Sequence, residues 1–110
     1  TVEFTVLGRS FLGLNGGPMF KQSEAVSFQI HCDTQDEIDH YWESLLAGGG
    51  QPSQCGWLKD KYGVSWQVVP DALYDLLNDP DPQRAMRATQ EMLTQTKLDL
   101  AAIRRAADGA

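Results

Sequence analysis

The sequence predicts an α+β domain with a helical tail, and three observations carry that expectation. Two runs rich in β-branched and aromatic residues, at 2–14 and 54–69, each fold back through a short turn. One amphipathic stretch after Thr34 bears the marks of a capped helix. Beyond Pro70 the apolar spacing changes from strand-like to helical.

Residues 2–7 and 10–14 read as a hairpin across Gly8-Arg9, where glycine can supply a positive φ. Pairing Leu7 with Ser10 sets Phe4, Val6 and Phe11 on one face and Thr5, Leu7, Leu12 and Leu14 on the other. Both faces are apolar, as expected of a sheet with helices behind and a cleft in front. Asn15-Gly16-Gly17-Pro18 breaks the strand, and a loop leads to a strand over 25–32. There Phe28, Ile30 and Cys32 alternate with Ser27, Gln29 and His31. Thr34 with Glu37 fits a capping box, and Asp36, Glu37 and Asp39 suit the positive end of a helix dipole. Ile38, Tyr41, Trp42, Leu45 and Leu46 then share one helical face until Gly48-Gly49-Gly50 ends it.

The second hairpin is expected over 54–59 and 64–69, turned by Asp60-Lys61-Tyr62-Gly63. If Lys59 pairs with Val64, Trp57 and Trp66 lie side by side with Cys55 and Val68, facing the helix. Gln54, Gly56, Leu58, Ser65, Gln67 and Val69 then point toward the cleft. After Pro70 a short helix spans 71–77. A second begins at Asp81 as N-cap with Pro82 in the first helical position. Its buried stripe is Ala85, Met86, Thr89, Met92 and Leu93, with Arg84, Arg87, Gln90 and Glu91 in water. A last helix over 100–107 follows Asp99 as cap.

Nine Lys and Arg against fifteen Asp and Glu give a net charge of -6, which argues against a nucleic-acid partner. The apolar runs are far shorter than a membrane span and no charged-then-apolar leader opens the sequence, so a soluble, cytoplasmic protein with no membrane partner is expected. Cys32 and Cys55 lack metal-type spacing and read as reduced.

With Leu14-Asn15-Gly16-Gly17-Pro18, Ser27 to Asp33 and the run Gln54 to Pro70 laid out, the sequence resembles the PhnB-like, 3-demethylubiquinone-9 3-methyltransferase-like branch of the vicinal oxygen chelate (glyoxalase/bleomycin-resistance) superfamily. The resemblance implies βαβββ units, two of which curve around a small-molecule cleft. Residues 25–70 match most of the second unit and 1–14 only the closing hairpin of the first. Residues 1–78 are therefore read as the chelate-like domain, lacking the first βα, and 79–110 as its helical extension. Paired-strand edges and half a cleft would be left open, so a homodimer that completes the cleft is expected, with a fragment of a longer chain as the competing explanation.

In the superfamily pattern, metal ligands come from the first and last strands of each unit. Ala25 falls where a histidine would stand, Gln67 where a glutamate would, and Asn15 lies nearest to the equivalent carboxylate of the first unit. No resident cofactor or metal is expected on that set, with a divalent ion on Gln29, His31 and Gln67 as the alternative. The resemblance also brings a methyltransferase label, but Asn15-Gly16-Gly17-Pro18 is not followed by the helix that a strand-turn-helix nucleotide site requires. The candidate cleft residues are thus Asn15, Gln29, His31, Gly56, Leu58 and Gln67. They would bind a small, partly apolar molecule. The alternatives are a glyoxalase-superfamily enzyme in which Gln29, His31 and Gln67 polarise a substrate, and an interaction module whose cleft is filled with side chains.

Overall fold

The computed structural model describes residues 1–110. Ten elements run in the order β1 (Val2–Val6), β2 (Arg9–Gly13), β3 (Ser27–Cys32), α1 (Gln35–Leu46), β4 (Gln51–Pro52), β5 (Trp57–Lys59), β6 (Ser65–Pro70), α2 (Ala72–Leu77), α3 (Pro82–Thr94) and α4 (Leu100–Asp108). The expected α+β architecture with helical tail is present. β3, α1, β4, β5 and β6 form one βαβββ unit, with strands in the order β3-β6-β5-β4 and β3 parallel to β6. The β1–β2 hairpin is a separate two-stranded sheet.

The hairpin register differs from the expected one. Val6 pairs with Arg9 and Phe4 with Phe11, so the turn is Leu7-Gly8, with φ of 50° and 78°. Two consecutive positive φ values match the twist of the flanking strands, and Gly8 takes the second central position, where such turns favour glycine. The shift moves both strands together and leaves the faces as expected. Phe4 and Phe11 stack with centroids 5.6 Å apart.

Thr34 caps α1, its hydroxyl accepting from the Glu37 N–H at 3.2 Å, while the Glu37 carboxylate accepts from the Asp33 N–H at 3.1 Å. That is the capping box with its return bond displaced by one residue. From α1, Ile38 and Trp42 are buried against Cys32, Leu58 and Val68, flanked by Ile30, Leu45, Leu46 and Trp66.

β5 and β6 slip by one residue relative to the expected pairing: Lys59 stands opposite Ser65, Leu58 opposite Trp66 and Trp57 opposite Gln67. Asp60 is the cause. Its carboxylate accepts from the N–H groups of Tyr62 and Val64, and its own N–H donates to the Val64 carbonyl, which draws Val64 into the turn. A slip of one residue turns every side chain of the strand to the other face. Leu58, expected in the cleft, is therefore 1% exposed in the core beneath α1, and Trp57, expected beneath α1, faces the open side.

Residues 54–56 are not a strand. Cys55 and Gly56 both take positive φ, and their N–H groups donate to the carbonyls of Gln95 and Thr96 at 2.8 Å. The tail is thereby stitched to the sheet, and a second core gathers Val69, Leu73, Ala88, Leu98, Ile103 and Ala107. Asp81 and Asp99 cap α3 and α4 as expected. The buried side of α3 centres on Ala88, while Met86 and Leu93 point outward. Arg87 is not left to solvent: its guanidinium donates to the carbonyls of Ala106 and Ala107, closing the end of α4.

Candidate functional site

Register and alternation put Ser27, Gln29 and His31 of β3, Ser65, Gln67 and Val69 of β6, Trp57 and Lys59 of β5, and Gln51 of β4 on the sheet face opposite α1. Across it runs a chain of hydrogen bonds. Gln67 Nε2 donates to Ser27 Oγ at 2.8 Å, Gln29 Nε2 donates to Gln67 Oε1 at 3.2 Å, and the Tyr74 hydroxyl of α2 donates to Gln29 Oε1 at 3.4 Å. Gln29 and Gln67 are direct neighbours in the parallel pairing, which makes the amide-to-amide bond a consequence of the register.

At the C-terminal end of β3, the His31 ring lies nearly parallel to that of Tyr74, centroids 6.0 Å apart, and His31 Nδ1 is 3.1 Å from Asp71 Oδ1. Asp71 occupies the N-cap position of α2 but makes no cap hydrogen bond, since its carboxylate is turned to His31. Beside it, the hydrogen bond with Asp71 and the charges of Glu37 and Asp71 raise the pKa of the Asp33 carboxyl.

At the other end, Trp57, Lys59, Ser65, Gln51, Ser53 and Glu24 border a cleft of about 210 Å³. Glu24, from the loop before β3, pairs with Lys59. The Lys59 ammonium, hydrogen-bonded to it, lowers the pKa of the Glu24 carboxyl.

Of the six cleft candidates, the structure brings Gln29, His31 and Gln67 to one face. It does not bring the others there. Leu58 is core. A Cβ on Gly56 would lie 3.0 Å from Leu98 Cδ1 and from the Val68 carbonyl, so its missing side chain admits the tail rather than a ligand. Asn15 is exposed in the loop after β2, which belongs to the separate sheet. Trp57, Asp71 and Tyr74 were not among the candidates. Trp57 was hidden by the slip, and nothing local marks Asp71 and Tyr74, which reach the face only because α2 folds back after Pro70.

The donor set that the superfamily pattern would give a metal does not assemble. Both ends of the Gln67 amide are engaged by Ser27 and Gln29, Ala25 offers no ligand atom, and no three His, Cys, Asp or Glu side chains converge as a cation site.

A βαβββ unit with a polar open face is the half-shell of the glyoxalase-like, vicinal oxygen chelate class. A family model described as 3-demethylubiquinone-9 3-methyltransferase matches residues 1–69, and the chain belongs to that family, itself part of the glyoxalase-like superfamily. None of the curated proteins matches it. No helix is long and apolar enough to cross a membrane.

Proposed function

We propose that the domain binds a small, partly apolar molecule on the open face of the four-stranded sheet, in a pocket whose remaining wall is the β1–β2 hairpin of a second copy. The single observation that carries the binding reading is the hydrogen-bonded row Ser27, Gln67, Gln29 and Tyr74. It sets amide and hydroxyl groups at fixed spacing on an exposed face between two aromatic side chains, Trp57 and Tyr74. Convergent polar groups with apolar flanks are what a small-molecule site needs. Replacing Gln67 by Leu cuts the row on both sides. In a thermal-shift screen of neutral and anionic small molecules, the variant is expected to lose the shifts that the parent protein gives, with its unliganded melting point close to the parent's. Equal shifts in both proteins, or none in the parent, would sink the reading.

Surface area supports the second copy. The chain exposes 7652 Å², whereas a compact protein of its mass exposes about 6,100 Å². The excess, roughly 1,500 Å², is about twice what one partner contributes to a standard interface. The radius of gyration of 16.6 Å likewise exceeds the value of about 13 Å for a compact domain of this length. Much of that surface is the hairpin, where Val2, Phe4, Val6, Phe11 and Leu12 are all 43–63% exposed. Light scattering is expected to give twice the 12.2 kDa chain mass. The double variant Phe4→Lys, Phe11→Lys should fall to one chain. A parent protein that stays a monomer overturns this half of the proposal.

A second reading, enzymatic turnover, rests on His31. Its Nδ1 lies 3.1 Å from Asp71 Oδ1, a contact that orients the ring and keeps Nε2 available for proton transfer to a bound molecule. Turnover by this route would vanish in His31→Gln and survive removal of divalent ions with a chelator.

A further inference from the structure

The Ser65 hydroxyl is buried, with 1% of the residue exposed, and no group of the chain hydrogen-bonds to it. A buried unpartnered hydroxyl is costly and rare, because folding removes its water without replacing it. Ser65 borders the 210 Å³ cleft at the β5–β6 end of the open face, together with Trp57, Gln51, Ser53 and the Glu24–Lys59 pair. The formal charges on the rim cancel, since Glu24 is bonded to Lys59. What remains inside is the Ser65 hydroxyl, the Trp57 indole, the apolar surfaces of Pro52 and Leu58, and the neutral polar groups of Gln51 and Ser53.

We propose that this cleft is the anchoring subsite of the face, and that it takes a neutral single-ring group carrying a carbonyl or amide oxygen, the oxygen on Ser65 Oγ and the ring against Trp57. This rests on the small-molecule reading above and adds to it the ligand class and the residue that selects it. The volume equals that of about seven waters, enough for one ring with its carbonyl group. The charge cancellation disfavours an ion. The indole offers a flat apolar surface on which a ring gains contact. The serine supplies the donor that a carbonyl oxygen requires, and no group of the chain itself competes for it.

The experiment uses the full chain, with benzamide and toluene as probes that share a ring and differ in the oxygen. Binding is read by quenching of tryptophan emission and by thermal shift. The parent protein is expected to bind benzamide roughly 2- to 10-fold more tightly than toluene, the effect of one neutral hydrogen bond. Ser65→Ala should erase that preference while retaining toluene binding, and, having lost an unsatisfied hydroxyl, should melt no lower than the parent. Trp57→Leu should weaken both probes and abolish the quenching, with far-ultraviolet circular dichroism confirming that the fold persists. Equal affinities in the parent, a preference that survives Ser65→Ala, or no binding of either probe because the cleft holds only water, would each overturn the subsite. The two proposals fail separately. If larger ligands bind in a Gln67-dependent manner while the Ser65 preference is absent, the subsite alone is wrong. If neither probes nor any screened molecule binds, the broader reading falls as well.

Discussion

Leu98 packs onto the bare backbone of Gly56, its Cδ1 3.0 Å from the point where a glycine Cβ would stand. The contact joins the loop before α4 to the start of β5. It is reinforced by the Cys55 and Gly56 N–H groups, which donate to Gln95 and Thr96, and by Gln35, whose side chain donates to the Leu98 carbonyl and accepts from the Leu100 N–H. The tail is therefore held by both layers of the βαβββ unit, through the sheet at one side and α1 at the other.

Gly56→Ala tests that joint. The position has φ of +83° and no room for a methyl group against Leu98 and the Val68 carbonyl. A loss of about 1–3 kcal/mol is expected in chemical denaturation, the usual cost of forcing a side chain into a left-handed, occupied site. A change within experimental error would show that the tail yields at this point.

Asp60 should make stability depend on acid pH. Burial acts to raise its carboxyl pKa, but hydrogen bonds from the Trp66 indole and from the N–H groups of Val64 and Tyr62 outweigh it and hold the value below the usual carboxylate range. A carboxylate bound more strongly in the folded state adds stability above its unfolded pKa, about 3.9, and loses it as pH falls through the lower folded value. Asp60→Asn is expected to cost about 1 kcal/mol at pH 7, as charge-assisted hydrogen bonds in a partly exposed turn become neutral ones. It should also flatten the decline of melting temperature below pH 4. An unchanged acid limb would mean that another carboxylate governs it.

Cys32 should resist alkylation until the protein unfolds. Its thiol is fully buried, and burial first, then the charges of Glu37, Asp71 and Asp33, push its pKa up to about 11. At pH 8 only about one thiol in a thousand is ionised. Iodoacetamide under native conditions is expected to modify Cys55 alone, with Cys32 reacting after denaturant is added. Mass spectrometry that finds both sites modified at the same rate would contradict the buried position of β3's last residue.

Much of the fold was legible because its local signals agree. The capping box at Thr34 and Glu37, the Asp81-Pro82 helix start and the alternation of β3 each fix an element by nearest-neighbour chemistry. What failed was register, which is a matter of turn geometry. Asp60 looks like any turn-forming aspartate until its carboxylate is seen to gather two N–H groups and pull Val64 out of the strand. That one residue exchanged Trp57 for Leu58, and with them the character of the face. Gly56, expected in the cleft, instead admits Leu98, 42 positions on, through a long-range contact that no local pattern encodes. Gln29, His31 and Gln67 reached a common face because they lie on the two strands whose alternation is unambiguous.

The double hydrogen bond from Gln35 gives the chain a shared latch. One amide, rooted in the first turn of α1, holds the peptide groups on either side of Asp99, so the opening of the last helix and the fraying of the first cannot proceed independently. Amide hydrogen exchange at Leu100 should consequently keep time with that of α1 rather than with the chain end nearby, and severing the latch would uncouple the two clocks.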